Sequence, residues 1–274
     1  MRTLNETIDR MSEGVGQTLR KHLSAVGINE WDELTRSALY ELKDHLSESL
    51  APNSQKTIMA NLKSIMNRVK DEVDFPVDYA KILTVKATKP MKIYLSEEDL
   101  AKLEHVSVHT KRQEFVKNVF LICAYTGLRV GDAMNLTTQN IVGGSLHYIA
   151  QKTKKVGAIP LKSGLAERIA WVEANKEYRV TLMGYNRSIR KMCKDAGINE
   201  EVMVFKAGKE QKGPKWQFVS SHTARISTAS CLNKRGVGIG DICTLLQHSG
   251  TSMTERYIIR DHVELSPTAM KFFA

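Results

Sequence analysis

Two arginines, two histidines and a tyrosine in this chain form a set that could transfer a phosphoryl group without a metal. Arg129 lies in Tyr125-Thr126-Gly127-Leu128-Arg129-Val130-Gly131-Asp132. His222 and Arg225 share His222-Thr223-Ala224-Arg225, His248 closes Leu245-Leu246-Gln247-His248, and Tyr257 ends Thr254-Glu255-Arg256-Tyr257. Fixed guanidiniums can hold a phosphate and absorb the charge it gains, imidazoles can move protons, and a phenol can attack. Taken singly, each has a plainer reading. Arg129 and Asp132 could be a structural ion pair, His222 and Arg225 a surface pair, His248 a satisfied histidine, and Tyr257 a packed aromatic. The argument for chemistry rests on the set.

The elements that must position these groups are readable around them. Phe120-Leu121-Ile122-Cys123-Ala124-Tyr125 is a nearly all-apolar helix end, and Gly127 is placed to cap it. That leaves Arg129 at a turn between two buried segments, with Asp132 expected to brace it. His222 and Arg225 are three apart, so a helix capped by Ser221 carries both on one face, its N-terminus favouring an anion. Strand signals at 146–150 and 158–161 flank Gln151-Lys152-Thr153-Lys154-Lys155-Val156, a hairpin rich in lysine. Any of its three lysines could enter a groove or touch phosphate. Gly236-Val237-Gly238-Ile239-Gly240 lacks the spacing of a dinucleotide loop, and no strand leads into it.

His248 follows Arg225 by twenty-three residues, and Tyr257 follows His248 by nine. In that order and at those intervals the chain resembles the tyrosine recombinase (phage integrase) family. The resemblance covers 94–274 in motif order and departs from the family at Gln247, where a glycine is usual. It implies a mainly α fold with a small antiparallel β-sheet: a helical N-terminal core-binding domain followed by an α+β catalytic domain. It also implies site-specific strand exchange in double-stranded DNA through a 3′-phosphotyrosyl intermediate. In that scheme Tyr257 attacks, Arg129 and Arg225 stabilise charge, His222 takes the phenol proton or orients the phosphate, and His248 bonds a phosphate oxygen. The family's lysine stands eight residues before the proline of an Ile-Pro-Leu strand. Ile159-Pro160-Leu161 therefore selects Lys152 as general acid, with Lys154 and Lys155 as alternatives. No metal and no ATP are needed, because the phosphotyrosyl link keeps the bond energy. The expected assembly is a homotetramer on paired sites, with accessory DNA-bending or directionality factors as further partners. The expected task is integration or excision of a phage or mobile element. A type IB topoisomerase, a catalytically inert DNA-binding relative and a nuclease that hydrolyses its intermediate are the rival readings.

The rest of the chain fits a DNA-acting protein. Its 274 residues carry 40 Lys+Arg against 30 Asp+Glu, a formal charge of +10 that draws polyanions. Apolar steps at Leu4–Leu23, Leu34–Leu50 and Ile58–Val73 predict three long helices within 1–85, the last capped by Asn53. Arg20, Lys21, Lys56, Lys63, Arg68 and Lys70 are assigned to their outer faces, toward a DNA backbone. Residues 86–93, with Lys86, Lys89, Pro90 and Lys92, read as a basic linker. A capping box from Ser96 to Asp99 then opens a catalytic domain at 94–274. The chain starts close to its first predicted helix, so no arm-site domain is expected. Cys123, Cys193, Cys231 and Cys243 are scattered and show no Cys-x-x-Cys pair. No apolar run approaches membrane length and no secretory signal is visible, so the expected location is the cytoplasm, on the nucleoid of a prokaryotic host. Pro267 breaks the chain near its end, and the resemblance assigns Met270, Phe272 and Phe273 to docking on a neighbouring protomer.

Overall fold

A computed structural model describes residues 2–88 and 91–259 of the chain. Lys89 and Pro90 of the expected linker, and the apolar tail at Met270, Phe272 and Phe273, lie outside the described residues. Two compact units emerge: residues 1–91 with 205–211, and residues 92–204 with 212–274.

The first unit is helical. Thr3 caps α1 (Leu4–Asp9) through a capping box with Glu6, and α2 (Glu13–Ala25) follows after a break at 10–12. The single helix expected over Leu4–Leu23 is thus two. Gly16 shows why the pair packs closely. A Cβ there would lie 2.9 Å from the Ile8 carbonyl oxygen, so the residue that looked like a helix breaker admits α1 onto α2. Next come α3 (Arg36–Ser49), α4 (Pro52–Val69) and the short α5 (Tyr79–Ile82). Pro52 stands at the first turn of α4, where its missing N–H costs nothing, and Ala51 is the cap. Asn53, expected to be that cap, instead uses its side-chain amide to donate to the Thr88 carbonyl and accept the Thr88 N–H. Leu19, Leu23, Leu39, Leu42, Leu46, Met59, Leu62 and Met66 fill the core. Two of the six outward-assigned basic residues are occupied internally: Arg20 pairs with Asp9 at 2.5 Å, and Lys63 donates to the Ala80 carbonyl.

In the second unit, the box predicted at Ser96 and Asp99 forms and opens α6 (Glu97–His105). The centre is α7 (Lys111–Thr126), buried on nearly every side, which explains its continuous apolar sequence. It is followed by α8 (Val130–Ala133) and an antiparallel sheet, β1 (Ile141–Val142), β2 (Ser145–Ile149) and β3 (Val156–Pro160). Leu146 pairs with Ile159, both facing the core, and the lysine turn joins β2 to β3. Next come α9 (Leu165–Ala174) and α10 (Leu182–Asp195), then an unexpected hairpin of β4 (Glu201–Lys206) and β5 (Lys209–Pro214), of which residues 205–211 belong to the first unit. The chain closes with α11 (Ser221–Lys234), α12 (Ile239–Leu245) and α13 (Thr251–Glu255). The Thr228 hydroxyl donates into the last-turn carbonyls of α7, with 2.8 Å to Ala124, and so ties α11 to the central helix. Among the described residues no helix is long and apolar enough to cross a membrane.

Candidate active site

The C-cap of α7 sets the first arginine. Gly127 adopts φ +73°, and a Cβ there would strike Leu246 Cδ2 at 2.6 Å, so only glycine serves. Its carbonyl is thereby turned toward α11. Arg129 follows as the N-cap of α8, half-buried, at the turn where the sequence placed it.

Helix α11 presents the second arginine. Its N-cap is Ser220 rather than Ser221, in a capping box with Thr223. Arg225 is only 2% exposed. Its Nη1 donates to the Gly127 carbonyl and its Nη2 to the Leu246 carbonyl, while Nε finds no partner. Burial, then the nearby Arg129 charge, lowers its proton affinity, but a guanidinium remains charged. The side chain is clamped at its fork, with the Nε nitrogen left unpartnered.

Tyr257 is drawn into this arrangement by its own backbone. Ser230 of α11 donates its hydroxyl to the Tyr257 carbonyl at 3.2 Å and accepts the Ile259 N–H at 2.9 Å. The Tyr257 ring lies 5.0 Å from the His222 ring in an edge contact and 4.7 Å from the His248 ring. The Arg225 Cζ stands 5.8 Å from the ring centroid. Four of the residues singled out in the sequence, His222, Arg225, His248 and Tyr257, therefore meet within one chain.

His248 is oriented by Thr254, whose hydroxyl lies 2.9 Å from Nδ1, while its buried Nε2 has no partner. The backbone at Gln247 accounts for the glycine usual in the family at this position. Its φ is +51°, in the left-handed region that glycine occupies without strain. Burial first, then the charges of Arg225 and Arg129 and the neighbouring His222, pushes His248 down to about 4. For His222 the causes are desolvation, then Lys92, Arg225, Arg129 and Lys152, and the result is also about 4. The His222 side chain presents surface to solvent and lies within reach of all four cations. Both imidazoles are neutral at pH 7.

This sets a pH dependence with a definite sign. A histidine depressed from 6.5 to about 4 binds fewer protons folded than unfolded between those limits. The stability it contributes is present above pH 6.5 and is lost as pH falls toward 4. We expect the melting temperature to fall over that interval, and His248→Gln to flatten the fall. Histidine ring resonances titrating near 6.5 for both His222 and His248 would contradict this.

Lys152 occupies the exposed turn after β2, and it is the hairpin lysine whose charge acts on His222. Asp132 does not brace Arg129: among the described residues the two form no ion pair. Its carboxylate accepts the Gln151 N–H at 2.9 Å instead, and so fixes the head of the lysine turn. The reason is local. Arg129 is the N-cap of α8 and Asp132 lies within that helix, so the carboxylate turns to an otherwise orphaned N–H across the gap.

Three groups escaped the sequence reading. Lys92, assigned to a linker, has its Nζ over the Tyr257 ring at 4.9 Å. Thr254 holds His248. Tyr148 of β2 is buried within electrostatic reach of Arg225, Asp132 and Arg129, and burial pushes its phenol up. Alternation along β2 could have marked Tyr148 as inward-facing. Nothing local marks Lys92.

Buried side-chain polar atoms without a partner, among the described residues, belong to Tyr185, Arg225, Gln247 and His248. Three of those four are in this site. Nitrogens of Arg225 and His248, ringed by the further positive charges of Arg129, Lys92 and Lys152, are what an anion would satisfy.

Comparison with known proteins places the chain in a family. The profile of the phage integrase family matches residues 93–263. The integrase of Enterobacteria phage P21 is 28% identical over 186 residues, which is 63% of this chain and 48% of that protein. The chain thus spans about half the length of that relative. A probable integrase/recombinase of Acholeplasma phage L2 is 21% identical over 92% of this chain and 86% of its own. Among solved structures, a lambda integrase (75–356) dimer bound to a COC′ core site superposes with a TM-score of 0.67, at 15% identity, over 96% of this chain and 98% of that one. The XerH site-specific recombinase bound to a palindromic difH substrate gives 0.64, at 13% identity, over 94% and 77%. These likenesses establish the fold, and the profile covers well over half of the chain. The chain belongs to the phage integrase family of tyrosine recombinases.

Proposed function

We propose that this protein cuts and rejoins double-stranded DNA at specific sites, with Tyr257 as nucleophile. The observation that carries the proposal is the cluster of unpaired buried nitrogens, Arg225 Nε and His248 Nε2, beside the Tyr257 ring. A scissile phosphate placed there gains the donors that the free protein leaves unsatisfied. The Tyr257 oxygen attacks phosphorus as its proton passes to His222. The negative charge of the phosphate raises the proton affinity of His222 from its depressed value, so the base strengthens when substrate arrives. Arg129 and Arg225 absorb the charge on the non-bridging oxygens, and His248 donates to one of them. The bond from phosphorus to the 5′-oxygen breaks, and Lys152 protonates that oxygen. A 5′-hydroxyl from a partner duplex reverses these steps and restores the phenol.

The family and the chemistry together favour a homotetramer on paired sites. Integration or excision of a phage or mobile element is the task we assign, with accessory bending or directionality factors outside this chain. The deciding experiment incubates the protein with a pool of nicked suicide duplexes. Covalent adducts are then recovered and the captured site is sequenced. Adducts without a shared site, alongside relaxation of supercoiled plasmid and no exchange between two sites, would favour the topoisomerase reading.

Lys152 has its own test. Lys152→Ala should slow cleavage of an ordinary phosphodiester, and a 5′-bridging phosphorothiolate should restore the rate, since a thiolate leaves without a proton. Asp132→Ala should show a weaker version of the same pattern, because it frees the Gln151 N–H and loosens the turn. Rescue of Lys154→Ala in place of Lys152→Ala would move the general acid to Lys154.

A further inference from the structure

Lys92 stands where the sequence gave it no role. Its Nζ lies 4.9 Å from the centroid of the Tyr257 ring and donates to the Arg256 carbonyl at 3.4 Å. The same ammonium therefore touches the phenol's face and the peptide just before it. Ile93 and Leu95, which follow directly, are buried in the catalytic core, and the Leu95 N–H donates to Ser227 of α11 at 2.8 Å. The backbone beside Lys92 is thus anchored on the helix that also pins Tyr257 through Ser230. Two short tethers to one helix fix the ammonium against the ring.

We propose that Lys92 is a positioning residue for the nucleophile, holding the Tyr257 ring by its face and the Arg256–Tyr257 peptide by its carbonyl. The proposal deepens the phosphotyrosyl reading and rests on it. The other ring contacts of Tyr257 are the neutral imidazoles of His222 and His248 and the Arg225 guanidinium, whose Cζ is 5.8 Å from the centroid. Lys92 is the closer cation, at 4.9 Å, and a cation over an aromatic face favours one ring orientation. Burial, and then Arg256, lowers the proton affinity of Lys92. It is also the largest charge acting on His222. Lys92 donates no proton to the leaving oxygen in this scheme, so its loss and the loss of Lys152 are separable.

The test uses the full chain with Lys92→Met, which keeps length and removes charge, and Lys92→Arg, which keeps charge. The DNA probe is the site captured by the wild-type protein from the nicked pool. We expect Lys92→Met to bind that duplex within a few-fold of wild type. Its single-turnover adduct formation should slow on the order of tenfold, with Lys92→Arg recovering most of the rate. A 5′-bridging phosphorothiolate should leave the Lys92→Met defect in place. A second readout needs no DNA: with 3-fluorotyrosine incorporated, the fluorine resonance of Tyr257, assigned by its loss in Tyr257→Phe, should move in Lys92→Met and not in Lys92→Arg. Wild-type cleavage by Lys92→Met overturns the proposal, as does an unmoved fluorine signal. A wild-type protein that forms no adduct, while the fluorine signal responds as expected, sustains the contact and sinks the phosphotyrosyl reading instead.

Discussion

Tyr257→Phe is expected to form no covalent adduct with nicked DNA while still binding the duplex within a few-fold of wild type. One oxygen is removed. The ring remains against His222 and His248, and the Ser230 hydroxyl still accepts and donates along the 257–259 backbone. The cationic groups that would draw a phosphate, Arg129, Arg225, Lys92 and Lys152, are untouched, so the salt-dependent part of affinity should be preserved. The geometry also sets which protomer supplies the nucleophile. Tyr257 sits beside the arginine of its own chain, with 5.8 Å from the ring centroid to Arg225 Cζ, so cleavage should occur in cis. Mixing Tyr257→Phe with Arg129→Ala checks this: neither protomer then holds a complete site, and no adduct should appear. An adduct in the mixture would mean that the tyrosine crosses to a neighbour. An adduct from Tyr257→Phe alone would remove Tyr257 as nucleophile.

How much of this was legible beforehand depends on the distance over which each signal acts. The intervals among Arg225, His248 and Tyr257 survive in the sequence because α11 to α13 are short and consecutive, and helical spacing is local. Gly127 was readable because a left-handed C-cap has few residue solutions. The capping box at Ser96 was readable for the same reason. What was missed is tertiary. The break between α1 and α2 follows from the close approach of Ile8 to Gly16, and apolar periodicity alone runs straight through it. Asn53 has the residue type of a cap, but Thr88, thirty-five positions on, supplies better partners. The β4–β5 hairpin had a turn signal in Ala207-Gly208, both at positive φ, but β5 is polar and largely exposed, so alternation could not reveal it. Asp132 was assigned to the nearest arginine in sequence. In space the nearest unmet donor was a backbone N–H nineteen residues away. Lys92 looked like linker because its partner lies at the other end of the chain.

Arg225 should be the most sensitive of the charge-stabilising positions, for two reasons that can be measured apart. Arg225→Ala is expected to reduce adduct formation on the order of 10²-fold or more, the scale for losing a preorganised stabiliser of transition-state charge. It should also lower the melting temperature. The Gly127 and Leu246 carbonyls lose their buried donors, and each unmet group costs about 1–3 kcal/mol. Arg225→Lys should rescue neither effect well, because one ammonium cannot reach two diverging carbonyls and still face a phosphate. Arg129→Ala supplies the control. Arg129 is half-buried and, among the described residues, makes no comparable clamp, so its removal should cost a similar factor in cleavage with little change in melting temperature. The two variants together separate chemistry from folding. If Arg225→Ala slows cleavage only as far as its unfolded fraction requires, and Arg129→Ala cleaves at the wild-type rate, the arginines are structural. The unpaired nitrogens around Tyr257 would then need an explanation other than a phosphate.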